Sequence, residues 1–269
     1  MSLMGTLPSQ VGNLSSLVEL DLHSNHFHGE LPKELLQLHK SKILNLSYNE
    51  FDGKIPDWIG GLFSLQHLIF FNSSFEVVIP PSVSNMSKLE TLGWNNNFIH
   101  GSIPLEIGRL QHLKILCIAR NNLSGNIPPT ISDLSSLELM SLSFNSLKGD
   151  IPRTIGTLTN LKILILGANK LSVQIPRSIG NLTVLQELYL SENNLEVVDC
   201  SSRNGREHFS DLVINQRLKV SRLLPLLFLH LVVDGTKVVF ANFCFVEEVM
   251  TIGRSHYDAI SFRGVSSLL

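Results

Sequence analysis

With 269 residues the chain is long enough for one or two ordinary domains. A hydrophobic fraction of 43% with only 7% aromatics makes its core one of Leu and Ile, and a formal charge of −2 gives no basis for a polyanionic partner such as nucleic acid. Cys117, Cys200 and Cys244 have neither metal nor redox spacing, and three cysteines do not suggest a disulfide framework.

The N-terminus, MSLMGTLPSQ, has no basic segment followed by an apolar one, so it does not read as a signal peptide. Leu3, Gly5, Leu7, Pro8, Val11 and Gly12 read as the back half of a repeat, so residues 1–13 are a partial unit. Registered units then begin at Leu14, Leu38, Leu62, Met86, Leu110, Leu134, Leu158 and Leu182, every 24 residues without insertion. The expected organisation is eight 24-residue repeats over 14–199, the last incomplete, followed by a non-repeat tail, 200–269. A fixed period of this length predicts a solenoid, in which each unit buries its apolar face only against its neighbours.

Each recurring slot has a physical task. L-x-x-L-x-L alternates apolar and variable residues, as a strand with one buried face does. Asn25, Asn49, Asn97, Asn121, Asn145, Asn169 and Asn193 share one slot and form an expected ladder. An amide carries both donor and acceptor, so it suits the backbone of a buried turn. Gly29, Gly53, Gly101, Gly125 and Gly149 suit a bend with positive φ. Pro32, Pro56, Pro80, Pro104, Pro128, Pro152 and Pro176 hold the chain extended ahead of the outer segment. There, I-G-x-L gives a short helical or 3-10 turn on the convex side. The fold class expected is an α/β leucine-rich solenoid with a parallel sheet on its concave face.

Departures mark local weak points. Ser73 replaces Asn, Val77 and Val173 replace Gly, and Ser41 stands where a Leu belongs. After Val197 the period stops. Residues 200–269 carry no recognisable motif and read as a poorly specified tail, with a capping domain as the alternative; Thr236–Met250 has the content of one or two strands. The most apolar run, Leu223–Val233, is 11 residues, and a bilayer crossing needs about 20.

LSGNIPPTISDLSSL (123–137), LKGDIPRTIGTLTNL (147–161) and FDGKIPDWIGGLFSL (51–65) resemble the plant-type leucine-rich repeat, as found in the ectodomains of plant receptor-like kinases and receptor-like proteins. The resemblance covers residues 3 to about 196. It implies a ligand-recognition module on the extracellular side of the plasma membrane, serving defence or development. The implied partner is a peptide or protein, with a second leucine-rich-repeat protein as coreceptor at one solenoid end. It implies no cofactor. Full-length members carry a protein kinase domain, but G-x-G-x-x-G, V-A-I-K, H-R-D and D-F-G are all absent here, so the chain reads as a non-enzyme and as a fragment of a larger protein. A secreted inhibitor of microbial cell-wall hydrolases and a truncated, non-functional product are the alternatives.

A ligand is expected on the concave side, where variable residues form rows. The richest stretch holds Tyr48, His67, Ile69, Phe71, Asn72, Asn95, Phe98 and Arg120, in repeats two to five. Exposed aromatics beside amides and an Arg are what binding hot spots favour. His23, His26 and His28 lie close together, yet nothing supplies a fourth ligand, so no metal is expected. Glu19 and Asp21 near His23 sit on an open strand face without the desolvation that catalysis needs. Cys117 beside Arg120 has no His or Asn partner and reads as a bystander thiol. Six N-x-S/T sequons, at Asn13, Asn45, Asn72, Asn85, Asn122 and Asn181, suit a secreted glycoprotein.

Overall fold

In every repeat the L-x-x-L-x-L phrase forms a three-residue strand, because its middle side chain is apolar and the two flanking it are not required to be. The computed structural model describes residues 2–196, 219–221, 232–233 and 236–237. The strands are Glu19–Asp21, Ile43–Asn45, His67–Ile69, Thr91–Gly93, Ile115–Cys117, Leu139–Ser141, Ile163–Ile165 and Glu187–Tyr189. They stack in chain order as one parallel sheet, each residue paired with the one 24 positions on, such as Leu44 with Leu68 and Leu116 with Met140. The middle residues, from Leu20 to Leu188, are buried. All of the repeats lie in one unit, Met1–Val220.

Opposite this sheet the partial first unit and repeats one to seven each make one five-residue 3-10 turn, from Ser9–Asn13 to Arg177–Asn181. A proline precedes all eight, at φ between −53° and −77° and ψ between 130° and 152°. Proline suits that place because its fixed φ presets the extended approach and its missing N–H is not needed there. The third residue of each turn, such as Ile59, Ile107 and Ile155, points into the core. Strand leucines and these isoleucines thus close a single continuous core, and the architecture is the leucine-rich-repeat horseshoe.

The asparagine slot is the main polar element of this core. Asn121 donates from Nδ2 to Trp94 O (2.9 Å), Ile118 O (3.3 Å) and Ala119 O (3.0 Å), and its Oδ1 accepts from Ile99 N–H (3.0 Å). One side chain therefore serves its own turn and the repeat before it, and Asn49, Asn97, Asn145, Asn169 and Asn193 repeat the pattern. Asn25 accepts instead from Leu3 N–H, in the partial first unit. Ser73 is too short for this task; its hydroxyl donates to Leu46 O at 3.3 Å.

Two features were not visible in the repeat pattern. The segment after the asparagine slot forms a second parallel sheet, in which His100–Gly101, Asn122–Asn126, Ser146–Gly149, Lys170–Gln174 and Asn194–Glu196 pair in turn. It does not continue as a regular sheet into the first three repeats. There it is reduced to two-stranded pieces, linked by single bridges between His28 and Glu50 and between Val78 and His100. The second bridge lies beside Ser73 and Val77, the two departures of the third repeat. The other feature is an aromatic stack along the N-terminal half of the core: Phe27, Phe51 and Phe75 at 6.1 Å spacing, then Phe70 and Trp94 at 5.9 Å. Phe70 joins the two runs, 5.1 Å from Phe75.

Positive φ occurs at two slots rather than one. The glycines expected there have φ from 72° to 101°, and Val173, in the same slot, has φ 67°. A second row, Ser24, Tyr48, Asn72, Asn96, Arg120, Phe144, Ala168 and Glu192, has φ from 50° to 60°. Of these, Asn72 and Asn96 alone are of a type that favours the left-handed region. From Ser24 to Ala168 the backbone amides hold them, each bonding the next repeat: Tyr48 N–H to Phe71 O at 2.7 Å, Arg120 N–H to Ser143 O at 2.9 Å. Of the tail, the backbone of Val232–Val233 and Thr236–Lys237 forms a small antiparallel pair; the rest of the 200–269 expectation lies outside the described residues, apart from the strand Lys219–Ser221.

Candidate functional site: the concave face

Outward residues of the concave strands fall in rows because the strands are in register. His67 faces Thr91, and its Nδ1 lies 3.0 Å from Thr91 Oγ1. Burial holds the imidazole below its usual 6.5; Glu90 opposes that shift and Lys114 adds to it. His67 therefore stands as a neutral ring at neutral pH, able to donate and accept. Asn95 is half-buried, and its Oδ1 accepts from Ala119 N–H at 2.7 Å, while its Nδ2 donates to no partner among the described residues.

Tyr48, Asn72 and Arg120 occupy the left-handed turn at the strand ends, one step off the sheet where the repeat pattern had placed them. They form the rim of the concave face rather than its floor. Asn72 is exposed and its Oδ1 accepts from Asn96 Nδ2. Arg120 lays its guanidinium over the Phe144 ring, 4.4 Å from the centroid. Its Nη2 is buried with no hydrogen-bond partner among the described residues. A flat cation held on an aromatic face is a rigid anchor.

Three expected contacts need correction. Ile69 is only 2% exposed. A Cβ on Gly93 would meet Phe71 Cζ at 2.8 Å and Ile69 Cγ2 at 3.6 Å, so both side chains pack over that glycine in the next strand. Phe71 is thus part-buried by its neighbours, and Ile69 presents almost no surface. Phe98, 54% exposed, follows the asparagine slot, at the register where Asn122 and Ser146 begin strands of the second sheet. It stands beside that sheet and off the concave one. Asn45, the asparagine of a sequon, is 6% exposed, its Oδ1 accepting from Ser47 N–H (3.2 Å) and its Nδ2 donating to Asp21 Oδ2 (3.3 Å).

One feature escaped the sequence reading. Ahead of the strands, Glu90, Lys114, Glu138 and Lys162 alternate in one row, with Lys114 Nζ 2.7 Å from Glu90 and Lys162 Nζ 2.6 Å from Glu138. These pairs are partly exposed and contribute little stability, but they edge the concave face of repeats four to seven with fixed charge. The 24-residue spacing of opposite signs was legible; no single repeat displays it.

His23 Nδ1 lies 2.7 Å from Asp21, and His26 Nδ1 lies 2.7 Å from Glu50, so the two histidines face different acids. Among the described residues no group of three His, Cys, Asp or Glu is placed to hold a metal. Cys117 is partly exposed as a residue, but its thiol is enclosed, and that burial pushes it up to about 12. Such a thiol is protonated and unreactive at neutral pH.

A solenoid that repeats its backbone while varying its concave residues defines a recognition scaffold. Residues 100–204 match the leucine-rich repeat region family, and 16–38 and 41–62 match the leucine rich repeat. No curated protein sequence matches. Among solved structures, the plant peptide hormone receptor RGFR1 in complex with RGF2 is 38% identical, with a TM-score of 0.71 over 72% of this chain. The Arabidopsis receptor kinase HAESA, in complex with the peptide hormone IDA and the co-receptor SERK1, is 34% identical, with a TM-score of 0.70 over 72%. This chain spans only 31% and 33% of those two. A plant ice-binding protein is 26% identical with a TM-score of 0.57, the match covering 71% of this chain and 69% of that one. The chain belongs to the leucine-rich-repeat proteins, and its repeats are similar to those of plant receptor-kinase ectodomains. Among the described residues no helix is long and apolar enough to cross a membrane.

Proposed function

We propose that this chain is the ligand-recognition solenoid of a plant cell-surface receptor, a receptor-like kinase or receptor-like protein, acting in defence or developmental signalling. Its ligand is a peptide or protein laid across the strands of repeats two to five, with a leucine-rich-repeat coreceptor joining at one end. The observation that carries this reading is the row arrangement of the concave face. His67, Phe71 and Asn95 lie on the floor, with Tyr48, Asn72 and the stacked Arg120 on the rim. Eight strands at about 4.8 Å spacing give a face on the order of 35–40 Å long, suited to an extended peptide. The similar receptors RGFR1 and HAESA, solved with peptide hormones, support the class of ligand.

The test is direct. A library of plant secreted peptides is screened by calorimetry or biolayer interferometry against the full chain, then against a Tyr48→Ala/Arg120→Ala double variant. The expected result is one peptide class whose affinity falls at least about tenfold, roughly 1.4 kcal/mol, in the double variant with an unchanged melting curve. Full affinity in a folded double variant removes this patch from the ligand site.

A further inference from the structure

The six sequons differ in what the fold does with them. Asn13, Asn85 and Asn181 occupy one slot, the last residue of the 3-10 turn, three and four repeats apart. All three are exposed, and so are the Ser15, Ser87 and Thr183 that complete their sequons. No hydrogen bond engages these three amides among the described residues. The chain turns sharply there, Ser87 N–H bonding Asn85 O at 2.9 Å and Thr183 N–H bonding Asn181 O at 3.0 Å, so each asparagine stands out on a bend. Asn45 is the opposite case. It lies in a concave strand, its amide is used on both sides, and the Ser47 of its sequon is buried with its Oγ accepting from Phe71 N–H at 3.0 Å.

We infer that Asn13, Asn85 and Asn181 carry N-linked glycans and that Asn45 carries none in the folded protein. The inference rests on the extracellular reading above. The three glycans line one outer edge of the solenoid, roughly 14 and 19 Å apart along the stacking direction at about 4.8 Å per repeat. They stand on the turn opposite the concave strands, so they shield the outer edge and lie clear of the concave floor. Asn45 is the one sequon asparagine within the concave sheet, and a glycan there would have to leave from a side chain only 6% exposed whose Nδ2 is held on Asp21.

The full chain is produced behind a secretion signal in plant or insect cells. Its folded fraction, selected by resistance to trypsin, is deglycosylated enzymatically in heavy-oxygen water, and the labelled aspartates are mapped by mass spectrometry. Label is expected at 13, 85 and 181 and absent at 45. A combined Asn13→Gln, Asn85→Gln and Asn181→Gln variant should lose three mobility steps on a gel with an unchanged thermal melt. Label at Asn45 in the trypsin-resistant fraction, or any of the three convex sites bare in it, overturns the inference. Because secretion is imposed and no ligand is used, this outcome is independent of whether the concave face binds a peptide.

Discussion

Val173 is a β-branched residue where five other repeats have glycine, and its φ of 67° costs it what L side chains pay in the left-handed region, about 1–2 kcal/mol. It is 49% exposed, so its side chain returns little by burial. Val173→Gly should therefore raise stability, by about 1 kcal/mol after the added freedom of the unfolded chain is subtracted; equal or lower stability in urea unfolding would show that the slot is not strained. His67 gives a pH signature. Its folded value lies below the ordinary 6.5, so above 6.5 both folded and unfolded chains hold it neutral and its contribution is whole. As pH falls through 6.5 the unfolded chain takes the proton first, and stability drops until the folded ring also titrates. Melting temperature followed downward from neutral pH should fall less in His67→Gln than in the parent.

At the scale of elements, the asparagine ladder explains where the solenoid is firm and where it is thin. Each rung ties a turn to the previous repeat, and leaving buried backbone groups unmatched costs about 1–3 kcal/mol apiece. The third repeat lacks its rung, since Ser73 reaches only Leu46 O, and the second sheet is cut to a single bridge beside it. Ser73→Asn should restore bonds to Leu46 O and Phe51 N–H and stabilise the chain by about 1–2 kcal/mol. A neutral or destabilising result in thermal unfolding would mean the aromatic stack around Phe51 and Phe75 leaves no room for the amide. The ladder was legible in the sequence because one residue type recurs in one slot. The second sheet was not, because its outward residues, among them Asn122, Ser146, Lys170 and Asn194, share no type.

For the whole solenoid, stability is a sum of units and neighbouring interfaces, so central repeats are held on two sides. Hydrogen exchange should be slowest from Met86 to Asn181, where ladder, concave sheet and second sheet run together, and faster in Leu14–Gln37. Equal protection of the first full repeat would mean that the partial unit, which pairs Met4–Thr6 with His26–His28, already closes that end.

The period of 24, read from the residues alone, was enough for the fold from Leu3 to about Glu196, because each slot answers to a local demand: an apolar residue on a strand's inner face, an amide in a turn, a proline before a 3-10 turn. What the residues show on the surface depends on neighbours 24 positions away, which no local pattern contains. That is why Ile69 is buried and shares the space over Gly93 with Phe71, why Arg120 lies fixed on Phe144, and why Phe98 stands off the concave sheet. The same dependence separates Asn45, sealed into a sheet, from Asn85, exposed on a bend, although the two belong to one sequence motif. Stacking of repeats, rather than composition of any one, sets which side chains a ligand or a sugar can reach.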